Sequence, residues 1–542
     1  MNENAQPLPD RPVNETILGY APGSEEREQL SATLAERRSR EVEVPIVVGA
    51  EEIRTGRLAE SCCPHEHGHR LGTYHQAGEA EVNKAIETAL QTRKTWSATP
   101  LAWRAEIFNR AADLLSGKHR SRMVAATMLD VGKNVNQADI DVAMLTDLWR
   151  FSGYLAAQIA AQQPMSTQAV TNSMEYRALE GFVLAISPFN FVSLSANLAT
   201  APAIMGNVVL WKPPEQATQA AWEIFQILRE AGLPDGVINF LPGEGPDVGD
   251  PALASEHLAG IHFTGSTATF RHLWRTVGER IGQYRTFPRL VGETGGKDFV
   301  VVHNSAPVDI TVTALLRGAF ELQGQKCSAA SRAYVPQSLW PEVSKRLVEG
   351  MEQMRMGPTE EFGNLINAVI DADAYKRIMG YLDWARQTDD VDIIAGGEGD
   401  DSTGWFITPT LLQAYRPDAR TMVEEIFGPV LTVYVYEDAA FEETLAVVDA
   451  TSPYALTGSI LATDAGAIAL AEEALTDAAG NFYINDKPTG AAVGQQPFGG
   501  ARASGTNDKA GSIINLLRWT SPRTIKRTHE PPRDWRYPFL GE

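Results

Sequence analysis

Three cysteines occur in 542 residues, and one of them, Cys327, sits where it could act as a nucleophile, in Gly324-Gln325-Lys326-Cys327-Ser328-Ala329. Gly324 lets the backbone turn tightly before the thiol. Ser328 and the alanines after it leave room for a group to approach the sulfur. A neighbouring lysine or a helix N-terminus would lower the thiol pKa and supply the thiolate. The plainer alternative is a buried structural cysteine. Two further residues would complete a covalent mechanism on a carbonyl carbon. Glu293 ends the apolar run of Leu290-Val291-Gly292-Glu293-Thr294-Gly295-Gly296-Lys297, and the glycines after it allow close backbone contact. Asn190 lies in Pro188-Phe189-Asn190-Phe191, just past another apolar run. Addition of the thiolate to an aldehyde gives a thiohemiacetal, whose oxyanion needs donors such as the Asn190 amide and the Cys327 backbone N–H. Loss of hydride leaves a thioester, and Glu293 is the candidate base that activates water against it. No metal is required.

These residues need a scaffold, and the chain supplies a strand-helix alternation. Strands are expected at 181–186, 207–212, 237–241 and 260–263, with helices at 194–204, 219–231 and 268–281. Pro202 marks the start of the first of these helices or a kink in it. This spacing means a mostly parallel α/β sheet with right-handed crossovers. Such sheets place ligands beyond the carboxyl ends of their strands, where Asn190 falls. Gly243, Gly245 and Gly249 form a GxGxxxG loop, a weak dinucleotide signal by itself. Gly265-Ser266 at a helix start can hold a pyrophosphate through backbone N–H groups and helix polarity. Lys212 and Glu215 follow the second strand, where they can hold ribose hydroxyls, and an acid there repels a 2′-phosphate. Each of these charges taken alone reads equally well as a solvated surface group.

A second α/β unit is expected from strands at 299–302, 333–335, 430–436 and 482–485 and helices at 311–320, 340–353, 439–451 and 464–478. Helices at 79–93, 101–116, 118–131 and 137–163 coat the first unit. Residues 1–40 read as an arm with one helix from 25 to 40. Strands expected at 169–179 and 512–519 lie outside both units, and lone edges of that kind call for a partner.

The formal net charge of -21 at pH 7 argues against a general nucleic-acid or anionic-membrane surface. So few cysteines fit a reducing compartment. With no apolar run at the start and none long enough to span a bilayer, a soluble cytoplasmic protein is expected. Cys62-Cys63-Pro64-His65-Glu66-His67-Gly68-His69 offers five metal-type ligands in eight residues. Adjacent cysteines rarely share a metal, however, and alternate histidines in an extended glycine-containing loop can face water, so no metal is assigned.

Taken together, the motifs resemble the aldehyde dehydrogenase superfamily. The similarity rests on the stretches already quoted and on Trp211-Lys212-Pro213, Phe263-Thr264-Gly265-Ser266, Glu425-Ile426-Phe427-Gly428-Pro429 and residues 482–509. The run 494–502 with Thr506-Asn507-Asp508-Lys509 is most similar to the dehydrogenases of L-glutamate γ-semialdehyde (1-pyrroline-5-carboxylate) in proline breakdown. The resemblance implies the aldehyde dehydrogenase fold: a Rossmann-like cofactor domain, an α/β catalytic domain and a small β oligomerisation element. It implies an NAD-binding domain at 41–160 and 181–291, a catalytic domain at 292–480, a substrate-anchor region at 481–510, and oligomerisation strands within 161–180 and 511–542. It assigns Cys327 as nucleophile, Glu293 as base and Asn190 as oxyanion donor. Lys212 and Glu215 go to the adenosine ribose, Gly245, Gly249, Gly265 and Ser266 to the cofactor loops, and Glu425 and Phe427 to the nicotinamide side. Ser328, Gly490 and Ala491 surround the substrate carboxylate, while Phe191 and Phe498 sandwich its methylenes. The implied partners are NAD, a small aldehyde and a second copy of the chain in a homodimer or higher assembly. One position departs from the pattern: Met144 stands where the family carries a glutamate facing the cysteine. The alternatives are an enzyme for another short semialdehyde, a CoA-acylating relative and a silent homologue. Glu293 argues against the CoA route, because a water-activating base would waste the thioester.

Overall fold

Two runs of apolar, β-rich segments separated by helices build two seven-stranded sheets, seen in a computed structural model that describes residues 9–541. Residues 1–8 of the expected arm, and Glu542, lie outside the described residues. The first sheet runs, from one edge, Arg289–Glu293, Leu258–Thr264, Phe182–Ile186, Val208–Lys212, Ile238–Phe240, Ile46–Val48, Glu51–Ile53. The first five strands are parallel. Val208–Lys212 is buried along its whole length, as a parallel strand covered by helices on both faces must be. The chain builds outward from Phe182–Ile186 and then returns to lay Leu258–Thr264 on its other side. That reversal is the switch point, and it opens a crevice at the strands' carboxyl ends. Arg289–Glu293 completes this sheet, so Glu293 is delivered by its edge strand.

The second sheet runs Val391–Ala395, Thr410–Ala414, Val430–Tyr436, Ala330–Pro336, Asp298–Val302, Thr457–Leu461, Asn481–Ile484. Only its first strand is antiparallel. The expected α/β class holds in both units.

The arm is tied to the body by carboxylates on the long helix Val135–Ala161. The Leu18 N–H and the Tyr20 hydroxyl donate to Asp139 (2.7 and 2.8 Å), and Arg120 closes on the same carboxylate. Asn14 donates to both Asp147 (2.8 Å) and the Val493 carbonyl (2.9 Å), and Arg11 donates to the Gly494 carbonyl (3.1 Å). The arm's helix, Glu25–Arg38, buries Leu30 and Leu34.

Three expectations give way. Residues 512–519 are not a strand: Ser512 caps a helix, Ile513–Arg518, by accepting from the Ile514 N–H. The β-branched start of that stretch suggested a strand, but its buried residues are Asn515, Leu516 and Trp519, and the three- and four-residue steps to Trp519 are a helical spacing. The late strand follows at Ser521–Thr528 and pairs antiparallel with Val170–Arg177 of the same chain over its full length. The Cys62 to His69 stretch is not an extended loop but the turn end of a hairpin, Leu58–Cys63 against Glu66–His75. Cys63 and His65 point inward, Cys62 outward, and His67 lies against Trp405. Among the described residues no group of three or more His, Cys, Asp or Glu side chains converges as a metal site. Pro202 falls inside the helix Val192–Ile204 near its end, so of the two placements expected for it the helix start is excluded.

Candidate active site

The helix Val308–Phe320 ends in a chain reversal that presents Cys327. Leu322, Gln323 and Gly324 are left-handed in succession, with φ of 54°, 54° and 66°. For the two non-glycine residues that conformation costs about 1–2 kcal/mol each. The buried Gln323 side chain offsets this by donating to the carbonyls of Gly132 (3.0 Å) and Ala368 (2.9 Å) and accepting from the Asn367 N–H (3.1 Å). Gln325 adds an acceptor for the Ile370 N–H (3.0 Å). At Gly324 a side chain is excluded twice, by the left-handed φ and by the Gly428 carbonyl against which a Cβ would collide. Gly296 packs directly on the Cys327 carbonyl in the same way. The glycines after Glu293 are thus what seat the first sheet's edge on the cysteine loop.

Asn190 reaches this loop from the crevice. Its buried amide donates one hydrogen to the Gln325 carbonyl (3.0 Å), which leaves the other for a ligand. Behind it, Asp141 accepts from the Val192 and Ser193 N–H groups (2.9 and 3.0 Å) and from Lys133 (2.5 Å) at full burial. That fixes the start of the helix after Asn190-Phe191. The Cys327 backbone N–H helps to hold its own thiol down.

The electrostatics correct one expectation. Lys326 does not serve the thiol; it turns away and donates to Glu321 (2.9 Å). Burial pushes the Cys327 thiol up, and the carboxylates of Asp298, Glu293 and Glu425 push it further. The resting sulfur is therefore a thiol and needs a base. Burial also raises Glu293 well above the usual carboxylate range, against the Gly500 N–H and Lys509, which hold it down, and with Asp508, which adds to the rise. Its Oε2 is buried without a hydrogen-bond partner. A carboxylate of raised basicity with a free oxygen can accept a proton.

On the cofactor side, Lys212 and Glu215 pair at 2.6 Å at the end of Val208–Lys212. Ser266 caps the helix Thr267–Glu279, accepting from the Thr269 N–H (3.1 Å). The Gly265 N–H is committed to the Glu293 carbonyl (3.2 Å), so a phosphate placed here would have to find its donors in Ser266 and the first turn of that helix. Gly245 and Gly249 lie on the helix Gly245–Ala254, where a Cβ at either would meet nothing within 4 Å, a face left bare. Glu425 accepts from the Gly296 N–H (2.9 Å), and the Phe427 ring stands edge-on to Phe189 at 5.9 Å. An acid for a ribose diol, a cap for phosphate and a bare glycine face together fit a dinucleotide with a free adenosine ribose.

On the far side of Cys327, the Ser328 hydroxyl bonds that of Thr489 (2.8 Å). Gly490 follows with φ of 101°, and a Cβ there would lie 3.2 Å from the Lys487 ammonium. Ala491 continues the turn. Phe191 carries the Lys133 ammonium 4.4 Å from its ring centroid, and Phe498 is held by paired backbone bonds to Ala510. Met144 packs with Leu148, Phe151 and Val493 as an apolar wall and accepts from the Ser193 hydroxyl (3.4 Å). Of the expected groups, Asn190, Glu293, Glu425 and Ser328 are thus brought to the cysteine loop. Sequence reasoning missed Asp141, Thr489 and the positional role of Gln323. Their partners lie far away in the chain and leave no local pattern.

A model described as the aldehyde dehydrogenase family matches residues 52–525. The mitochondrial Delta-1-pyrroline-5-carboxylate dehydrogenase of Bos taurus is 51% identical over 530 residues, 97% of this chain and 94% of its own. The mitochondrial enzyme of that name from Dictyostelium discoideum is 50% identical over 533 residues, 98% and 96%. A Delta-pyrroline-5-carboxylate dehydrogenase from Mycobacterium tuberculosis, solved bound with NAD, has a TM-score of 0.96 and 48% identity, covering 99% of this chain and 100% of its own. The expectation of a cytoplasmic protein is overturned by the mitochondrial relatives. Sparse cysteine records a reducing medium, and that is not peculiar to the cytosol. Among the described residues no helix is long and apolar enough to cross a membrane.

Proposed function

The chain belongs to the aldehyde dehydrogenase family, and on that premise we propose that it oxidises L-glutamate γ-semialdehyde to L-glutamate with NAD. The observation that carries the reading is the convergence of Cys327, Asn190 and Glu293 in one crevice, with a Ser328–Thr489 hydroxyl pair on one side and a dinucleotide face on the other. Glu293, through its free oxygen, takes the Cys327 proton. The sulfur adds to the aldehyde carbon, and the Asn190 amide and Cys327 N–H receive the oxyanion. Bound NAD supplies the acceptor for the hydride that the thiohemiacetal carbon releases. Glu293 releases that first proton to solvent, then takes one from a water that attacks the thioester carbon; as the tetrahedral adduct collapses, the C–S bond breaks, the thiolate takes the proton back from Glu293, and the acid is released. Lys212 and Glu215 hold the adenosine ribose, Ser266 the pyrophosphate, and Glu425 and Phe427 the nicotinamide side. Gly245 and Gly249 give the cofactor a bare helix face.

Substrate choice rests on the carboxylate. Ser328 and the backbone N–H groups of Gly490 and Ala491 converge on it, and Phe191 and Phe498 flank an unbranched chain. Fixed donors in a partly desolvated pocket are each worth roughly 1–3 kcal/mol. The expected result is a kcat/KM for L-glutamate γ-semialdehyde about ten- to several-hundredfold above that for pentanal. A tie, or a win for pentanal, removes the carboxylate anchor.

The assembly is a homodimer or a higher oligomer. In the two-stranded ribbon Val170–Arg177 with Ser521–Thr528, the Ser166 and Gln163 side chains bond the outer edge of the first strand at Asn172 and Met174, but the outer edge of the second has no strand partner among the described residues, and no residue of the ribbon is buried, which favours pairing of that edge with another copy. A light-scattering mass of two chains or more at micromolar concentration is expected; a mass of one chain refutes it.

A further inference from the structure

We propose that Lys509 is the positioning residue of the base: its ammonium, fixed beside the Gly499-Gly500 backbone on which Glu293 lies, favours the ionised form of the Glu293 carboxylate and holds it in place. This rests on Glu293 being the base. The geometry is specific. The Lys509 ammonium donates to the carbonyls of Gly480 (2.6 Å) and Gly499 (2.9 Å), with the Asn481 side-chain oxygen further off at 3.4 Å. Glu293 presses on the same glycine, so that a Cβ at Gly499 would lie 2.9 Å from its Oε1. Gly499 is therefore shared between the two groups, with the ammonium on its carbonyl and the carboxylate at its Cα.

All three acceptors of Lys509 are neutral, and among the described residues it has no ion-pair partner. Its charge is not cancelled locally, and Glu293 is the carboxylate that feels it. The charged groups facing Glu293 are few. Lys509 opposes the effect of burial, and Asp508 on the same loop adds to it. Asp508 is in turn engaged by the Thr506 hydroxyl (2.6 Å) and by Arg518 (3.3 Å). From the cysteine loop, Cys327 is a neutral thiol at rest. A buried carboxylate with one unbonded oxygen is costly to ionise, and an uncancelled ammonium nearby is the means of favouring the charged form without occupying that oxygen.

The test is the pH dependence of steady-state turnover at saturating substrate and NAD. For Lys509→Met the acid limb should move up by roughly one pH unit, so that turnover falls about tenfold at neutral pH and recovers in alkali. Lys509→Arg should hold the limb near its original place. Asp508→Asn should move it the opposite way, and this gives a second reading if Lys509→Met does not fold. A role confined to holding the loop would lower turnover at every pH with the limb unmoved, and that result overturns the proposal. Glu293→Gln separates the two levels. If it abolishes the limb while Lys509→Met and Asp508→Asn leave it in place, the role of Lys509 alone falls. If Glu293→Gln keeps the parent limb at the parent pH, rather than only the rise in alkali that thiolate and hydroxide bring, the base assignment falls and takes the proposal with it.

Discussion

Cys327→Ala turns over no aldehyde and still binds NAD. The expected loss is roughly a thousandfold or more, because the covalent route disappears altogether. Alanine is close in size to cysteine, and the loop's conformation is set by Gly324 and by hydrogen bonds of Gln323 and Gln325 that do not involve the sulfur. Lys212, Glu215 and Ser266, the residues proposed to hold the cofactor, belong to other strands and helices and keep their geometry. Titration calorimetry with NAD beside a turnover assay checks both halves. Undiminished turnover would eliminate the covalent mechanism; lost NAD binding would show that the loop had collapsed.

Glu293→Gln separates the two half-reactions. Glutamine fills the same space against Gly499 and keeps an oxygen for the Gly500 N–H, but it cannot take a proton. Acylation then relies on the small fraction of thiolate present, and it should recover toward alkaline pH because the Cys327 thiol is raised by burial. Hydrolysis of the thioester has no base at any pH short of hydroxide. Rapid mixing at high pH should show one NADH formed per site, followed by a steady state about 10²- to 10⁴-fold slower than the parent's. An unslowed steady state would assign the base elsewhere.

Much of this site was legible in the chain because its chemistry is local. Cys327, Glu293 and Asn190 each sit in a short stretch with its own glycines or strand end, and the strand-helix spacing placed those ends together. What was not legible depended on distant partners. Lys326 looked like the activator of its neighbour, yet Glu321 claims it. The stretch from Ser512 could be strand or helix by composition, and only the burial of Leu516 and Trp519 decides between them. The strands outside the two main units were legible as unpaired edges, but not that one begins at Ser521 and finds its partner within the chain. At Cys62 to His69 the ligand-like residues suggested a loop, whereas the register of Cys62 opposite Arg70 makes it a hairpin.

The arm that holds the Val493-Gly494 turn, next to the proposed carboxylate site, bears on how such a pocket can diverge. Arg11 and Asn14 grip the carbonyls of Gly494 and Val493, while Asn14 also holds Asp147 on the long helix whose Leu148 and Phe151 support the turn. The cysteine, the base and the oxyanion donor are carried elsewhere and need not change when the accepted aldehyde does. A new turn sequence, however, must still fit a segment nearly five hundred residues earlier and a helix in between. Selection for a different aldehyde therefore acts on three stretches at once, and a turn transplanted from a relative arrives without its strap. Chimeras that exchange the arm, the helix and the turn together are the ones that inherit both fold and preference.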